Sequence, residues 1–241
     1  MTVGEIVAGD YRTADVFQRF GIDFCCNGNR SLTEICKDAK IDRGALEEAL
    51  KQAVGGEEDP TVPDFAHWPL DRLADHIEEK HHRYTEAAIP QIRTYLVRIC
   101  DVHGDAHAEL HLLKNLFEKS AGELAMHMKK EELLLFPYIR RMVAARNQNK
   151  PLQRPGFGTI RNPVEAMTAE HDTEGERFRQ MRAISSNYTV PPDGCNTYRT
   201  AFALMDEFEK DLHLHIHLEN NILFPRATAL ESKLADADQT K

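Results

Sequence analysis

From Met1 to Val54 the apolar positions come in short bursts separated by Gly, Asn and Asp, the pattern of short helices. Thr13 can cap a helix ending at Gly21, Ser31-Leu-Thr-Glu34 is a capping box opening a second, and Asp42 can cap a third running to Val54. Gly55-Gly-Glu-Glu-Asp-Pro-Thr-Val-Pro63 then breaks the periodicity and reads as a linker. Beyond it, apolar residues recur at the three- and four-residue spacing of long amphipathic helices. Four are predicted, over residues 69–100 with a kink at Pro90, 106–146, 163–187 and 195–230. The expected organisation is a small helical domain over 1–56 with a Cys-Cys motif, a linker over 57–66, a helical bundle over 67–230 and a frayed polar tail over 231–241. Four long helices joined by short loops default to an up-down four-helix bundle, so the fold class is all-α.

Composition supports the helical reading. Ala, Leu, Glu, Lys and Arg dominate, while β-branched and aromatic residues are scattered. The formal charge of −9, with basic residues interspersed among acids, gives no basic cluster for a nucleic acid. Met1-Thr-Val-Gly-Glu has no basic or apolar signal region, and Leu133-Leu-Leu-Phe136 is far too short to cross a bilayer. A cytoplasmic location is the default expectation. Five cysteines, at 25, 26, 36, 100 and 195, make no disulfide framework and fit a reducing compartment.

The chemistry is carried by a repeat. The second long helix contains His127-Met-Lys-Lys-Glu131-Glu-Leu-Leu-Leu135-Phe136-Pro137, and the fourth contains His215-Ile-His-Leu-Glu219-Asn-Asn-Ile-Leu223-Phe224-Pro225. Both read His-x-x-x-Glu-x-x-x-Leu-Phe-Pro, which makes the bundle two related helical hairpins. His and Glu four apart share a helix face one turn apart. One imidazole nitrogen and one carboxylate can then reach a single ion, and facing copies build a site between helices whose glutamates can bridge two metals. Imidazole mixed with carboxylate suits iron or manganese, without excluding zinc. A lone His-x-x-x-Glu is usually a surface pair; the duplication, in register with the same apolar segment, points both copies inward. The other two helices should supply matching ligands. His171 is the one histidine of the third helix and shares a stripe with Val164, Met167 and Phe178. On the first helix, spacing favours His82, whereas His81 aligns better with the Leu73/Ile77/Tyr84 stripe.

These segments, together with Gly21-Ile-Asp-Phe-Cys25-Cys26-Asn-Gly28, Asp75-His-Ile, Glu170-His171-Asp and Asp211, resemble the di-iron RIC (repair of iron centres) proteins over nearly the whole chain. That family joins an N-terminal cysteine-pair domain to a hemerythrin-like bundle. The resemblance implies two non-haem iron ions, carboxylate- and oxo-bridged, held by His82, His127, Glu131, His171, His215 and Glu219, and on the first helix it prefers His82 to His81. It also implies acids beside the metals, matched by Glu123 and Glu170. Glu123 lies one turn before His127, while Glu170 reads equally as a solvated neighbour.

Cys25-Cys26 precedes Asn27-Gly28 in a turn, and adjacent cysteines suit two thiols offered to one partner better than a disulfide. The alternative is two small residues packed in a mini-domain. By resemblance they bind iron or accept a nitrosyl group near the di-iron entrance. Cys36, Cys100 and Cys195 read as ordinary helical residues. His213 and His217 fall at two-residue steps from His215 and point away from it; they read as surface histidines, with a metal pair of their own, four residues apart, as the alternative, and His67, His76, His103, His107 and His111 read as structural or exposed. The function implied is repair of iron–sulfur clusters damaged by nitrosative or oxidative stress, by iron donation or nitric oxide handling. Its partners would be damaged or apo iron–sulfur proteins, with nitric oxide or oxygen as small ligands, no nucleic acid and no membrane, and a homodimer left open. The alternatives are an oxygen or nitric oxide sensor or carrier without repair activity, and a nitric-oxide-reducing di-iron enzyme.

Overall fold

The structure is a computed structural model that describes residues 1–55, 63–153 and 155–239. The expected linker falls mainly on residues 56–62, outside the described residues. The N-terminal segment forms α1 (Val3–Gly9), α2 (Thr13–Arg19), α3 (Leu32–Asp38) and α4 (Arg43–Val54). Helix α1 is an addition to the sequence reading. Its signal is a capping box, in which Thr2 accepts from the Glu5 N–H and the Glu5 carboxylate accepts from the Thr2 N–H. Ser31 with Glu34 and Asp42 cap α3 and α4 as the sequence suggests. Thr13 does not cap α2; it is the first helical residue, and its hydroxyl donates to the Asp10 carbonyl.

The long helices are built from α5 (Leu70–His76) and α6 (Arg83–His103), α7 (Glu109–Lys130) and α8 (Phe136–Gln148), α9 (Arg161–Ile184), and α10 (Asn196–His217) and α11 (Phe224–Gln239). Helix α6 runs unbroken through Pro90, which lies on its exposed face. The polar C-terminal stretch is helical to Gln239 rather than frayed from Glu231, because Glu231 is anchored: it accepts from the Tyr138 hydroxyl, the Thr159 hydroxyl and the Ile160 N–H. Among the described residues no strand forms, only an isolated bridge between Thr2 and Ser31. Nor is any helix long and apolar enough to cross a membrane.

Helix α6 packs against both α7 and α10, α7 against α9, and α8 against α5 and α11. Two apolar clusters fill the interior. One joins the N-terminal helices (Val3, Phe17, Phe24, Leu46) to Ile92, Phe117, Phe178 and Phe208. The other gathers Leu73, Phe136, Ile139, Met167 and Leu223. Along each long helix the predicted ligands fall where one cluster gives way to the other.

Three of the four rods widen at that boundary. Ile77–His82, Glu131–Leu135 and Leu218–Leu223 are π turns, which carry more residues per turn than an α-helix and recur at functional sites. Two end directly at Phe136-Pro137 and Phe224-Pro225. Proline has no N–H for the bond four residues back, and its ring crowds that carbonyl, so it disfavours a narrow turn there.

Candidate metal centre

The fold brings six side chains together from four rods. His82, Glu131, His215 and Glu219 form one buried group whose donor atoms lie within 4.8 Å of one another, and His127, Glu131, His171 and Glu219 form a second. Both glutamates belong to both groups. Glu131 Oε2 lies 3.4 Å from both His82 Nε2 and His127 Nε2, while Glu219 reaches His215 Nε2 at 3.1 Å and His171 Nε2 at 3.2 Å.

The π turns explain why His81 and His82 compete in the sequence. A turn wider than 3.6 residues lets two consecutive side chains face inward, and both rings are buried. Their roles differ. His82 Nε2 enters the cluster, whereas His81 stacks flat on the His215 ring at 5.6 Å and donates from Nδ1 to Asp211.

Outer hydrogen bonds orient the donor rings. His82 Nδ1–H donates to Glu132 Oε1 at 3.0 Å, His127 Nδ1–H to Glu170 Oε2 at 2.8 Å, and His171 Nδ1–H to Asn220 Oδ1 at 2.9 Å. Each bond leaves a bare Nε2 pointing inward, the arrangement that holds imidazole toward a metal. Glu132 and Asn220 were missed in the sequence, although the repeat carried a signal: each directly follows its motif glutamate. Glu170, one residue before His171, holds His127. By the same repeat, His81, one residue before His82, contacts His215.

Glu123 is a correction. It is exposed and accepts from Arg177 Nη2 at 2.6 Å, away from the cluster, because Arg177 on α9 turns toward it. His217 is another. Rather than facing solvent it is 1% exposed, packed edge-on against Phe24 and bonded to Asn221, because the N-terminal segment covers that face of α10. Burial lowers its pKa to about 4. Cys195 is no ordinary helical residue: it sits at the N-cap of α10 with its sulfur 3.3 Å from His103 Nε2, a contact that lowers the thiol to about 7.

The donor atoms of the cluster can hold a cation. Burial, reinforced by the Glu219 charge, raises Glu131 well above the usual carboxylate range. Burial works on Glu219 too, but His215 and His171 outweigh it and hold its carboxyl low. Burial lowers His82 to about 3 and His127 to about 4, so both rings are neutral. Both Glu131 oxygens and His82 Nε2 are buried without a hydrogen-bond partner among the described residues. His127 Nε2 and His171 Nε2 face each other at 3.0 Å with both Nδ1 protons turned outward. Bare imidazole lone pairs and an acid side chain without a hydrogen-bond partner in a dry interior are costly unless a cation sits among them. The donor set therefore fits divalent metal.

The cysteine turn lies against this centre. Asp23 Oδ1 accepts from the N–H groups of Cys25 and Cys26 and from the Cys25 thiol, and Arg179 holds Oδ2. The Cys26 thiol donates to the His171 carbonyl at 3.5 Å and lies 3.7 Å from Cys25 Sγ, both thiols being free. Asp23, Cys25 and Cys26 form a third group of close donor atoms. The hydrogen bond with Cys26, with burial adding to it, raises the Cys25 thiol well above its ordinary value. A cleft of about 830 Å³, walled partly by Phe24, Arg182 and His213, reaches Cys25 from solvent.

Comparison with known proteins gives two matched regions. Residues 73–227 match the hemerythrin HHE cation binding domain, and residues 1–54 match ScdA_N, a domain of unknown function. The chain is 31% identical over 227 residues to the iron-sulfur cluster repair protein YtfE of Musicola paradisiaca, covering 94% of this chain and 95% of that protein. It is 30% identical over 230 residues to the proteins of the same name from Citrobacter koseri and Escherichia coli O81, covering 95% of this chain and 97% of each. The cation-ready cluster and these matches lead to one conclusion: the chain belongs to the hemerythrin HHE family, in the two-part form of the YtfE iron-sulfur cluster repair proteins.

Proposed function

We propose that the chain holds two iron ions, one on His82 and His215 and the other on His127 and His171, with Glu131 and Glu219 shared between them, and that it repairs iron–sulfur clusters damaged by nitrosative or oxidative stress. The observation that carries the reading is the pair of overlapping four-residue groups with both carboxylates in common. Bound iron would supply Lewis-acid and redox chemistry at this spot. Each ion would have few protein donors, leaving positions for nitric oxide, oxygen or an acceptor ligand, and that suits metal meant to leave. The relatives' name supplies the repair role and damaged iron–sulfur proteins as clients. Glu132, Glu170 and Asn220 keep the imidazoles aimed, and Glu170 in addition pairs with Lys130 at the edge of the cluster. Cys25 and Cys26, beside the His171 carbonyl and next to Asp23, are placed to take up iron on its way out. The free cysteines fit work in the cytoplasm.

Iron content and Mössbauer spectroscopy test the centre. The wild type is expected to hold two irons per chain, with His127→Ala and Glu131→Leu dropping to one or none; mononuclear iron in the wild type overturns the reading. Transfer tests the role. Reduced protein should lose iron to an apo-ferredoxin supplied with sulfide and a thiol reductant, and so restore its cluster. Iron that stays bound favours a sensor or carrier, and steady consumption of nitric oxide with an electron donor favours a reductase.

A further inference from the structure

The donor histidines differ in what their outer bonds are attached to. Glu132 and Glu170, which hold His82 and His127, are themselves held by lysines of the bundle, Lys129 and Lys130. His171 is held by a side chain that also reaches out of the bundle. Asn220 Oδ1 accepts the His171 Nδ1–H at 2.9 Å, and Asn220 Nδ2 donates to the Cys25 carbonyl at 3.3 Å. An amide can do both because one planar group carries an acceptor and a donor. Glu132, its counterpart in the repeat, has no proton to offer when ionised.

Other contacts seat the cysteine turn on the bundle without reaching the His171 ring. Asn221 Nδ2 donates to the carbonyls of Phe24 and Cys25, each at 3.3 Å. The Cys26 thiol reaches the His171 carbonyl. A Cβ on Gly175, one turn beyond His171, would stand 3.0 Å from Cys26 Sγ, so the turn lies directly on α9. Asn220 is therefore the contact between the cysteine turn and the ring of His171, which belongs to only one of the two four-residue groups.

We propose that Asn220 is a positioning residue that ties the Cys25–Cys26 turn to His171, so that the state of the thiol pair is felt at the half of the centre built on His127 and His171. Among the described residues the half built on His82 and His215 has no such hydrogen bond to the cysteine turn. The idea rests on the two-metal reading above for its spectroscopic consequence. Coupling of this kind is reciprocal in binding free energy: if the thiols act on the metal, the metal acts in turn on the thiols.

Two substitutions separate the two bonds. Asn220→Asp keeps an acceptor for His171 and removes the donor to Cys25; Asn220→Ala removes both. In metal-free protein, ¹⁵N NMR should show His171 with its proton on Nδ1 in wild type and Asn220→Asp, and a tautomer mixture in Asn220→Ala. Iodoacetamide should alkylate Cys25 and Cys26 faster in both variants than in wild type. Loading with ⁵⁷Fe(II) should change the wild-type alkylation rate several-fold, as the turn is held more or less firmly, and leave the Asn220→Asp rate nearly unchanged. Alkylation should shift one of two Mössbauer doublets in wild type and neither in Asn220→Asp. An Asn220→Asp protein that keeps the wild-type iron dependence overturns the proposal, as do doublets that shift together or not at all in wild type. A wild type that takes up no iron sinks the metal reading instead. The tie is then decided by the metal-free arms, where unchanged tautomer and unchanged alkylation overturn it.

Discussion

At the residue scale, the cluster is aimed by bonds made on the far side of each ring. His127 shows this well, because Glu170 is only partly buried yet holds it at 2.8 Å, and the His127 bond, with Lys130 adding to it, brings the Glu170 carboxyl down to about 2. Glu170→Gln keeps an acceptor and removes the charge that makes the imidazole a better donor to metal. Metal affinity, followed by competition with a chelator, is expected to fall by roughly 10–100-fold, the usual effect of losing such an outer partner. Asp23 gives a pH-dependent case. Burial opposes its charge, but donation from the Cys26 N–H, Asn27 and the Cys25 thiol prevails, and the carboxyl lies below its ordinary 3.8. A depressed carboxylate contributes stability in full above that ordinary value and loses it as pH falls through the lower folded value. Wild type should therefore melt above Asp23→Asn at neutral pH, and the gap should close below pH 3.8. A gap that persists unchanged in strong acid would place the effect outside the Asp23 charge.

At the element scale, the centre depends on turns wider than an α-helix. Glu131 and Glu219 each begin or enter a π turn that ends at a Phe-Pro pair. Pro225→Ala gives residue 225 an N–H that can bond four residues back and so favours an ordinary turn over 218–223. The expected outcome is metal content reduced several-fold in a protein that melts no lower when metal-free. Full metal content would show that packing of Phe224, stacked on His171, holds the wide turn without help from proline.

For the whole molecule, one apolar cluster runs from the N-terminal helices into the bundle, through Phe24 against Phe17 and the rings of His213 and His217. The two matched regions should therefore melt together. Phe24→Ala opens a cavity at this junction and is expected to cost about 3–5 kcal/mol. In a chain of this size that corresponds to roughly 10 °C in a single calorimetric transition. A second, separate transition at unchanged temperature for the bundle would show that the N-terminal segment contributes nothing to it.

The sequence by itself determined most of the helices and one candidate ligand pair on each of two rods. Capping boxes act within four residues, and His-x-x-x-Glu puts both groups on one face of a helix whatever lies around it. Duplication of His127/Glu131 as His215/Glu219 made the inward direction legible without any partner being known. Only the tertiary structure decided what depends on phase and on other rods. The π turn over 77–82 breaks the 3.6-residue count that favoured His81, and brings His82 to Glu131 while His81 goes to His215 and Asp211. Glu123 has the right spacing from His127 and is nonetheless drawn to Arg177 from another helix. The link from Cys25 through Asn220 to His171 joins residues far apart in the chain, and no local pattern encodes which amide will bridge them.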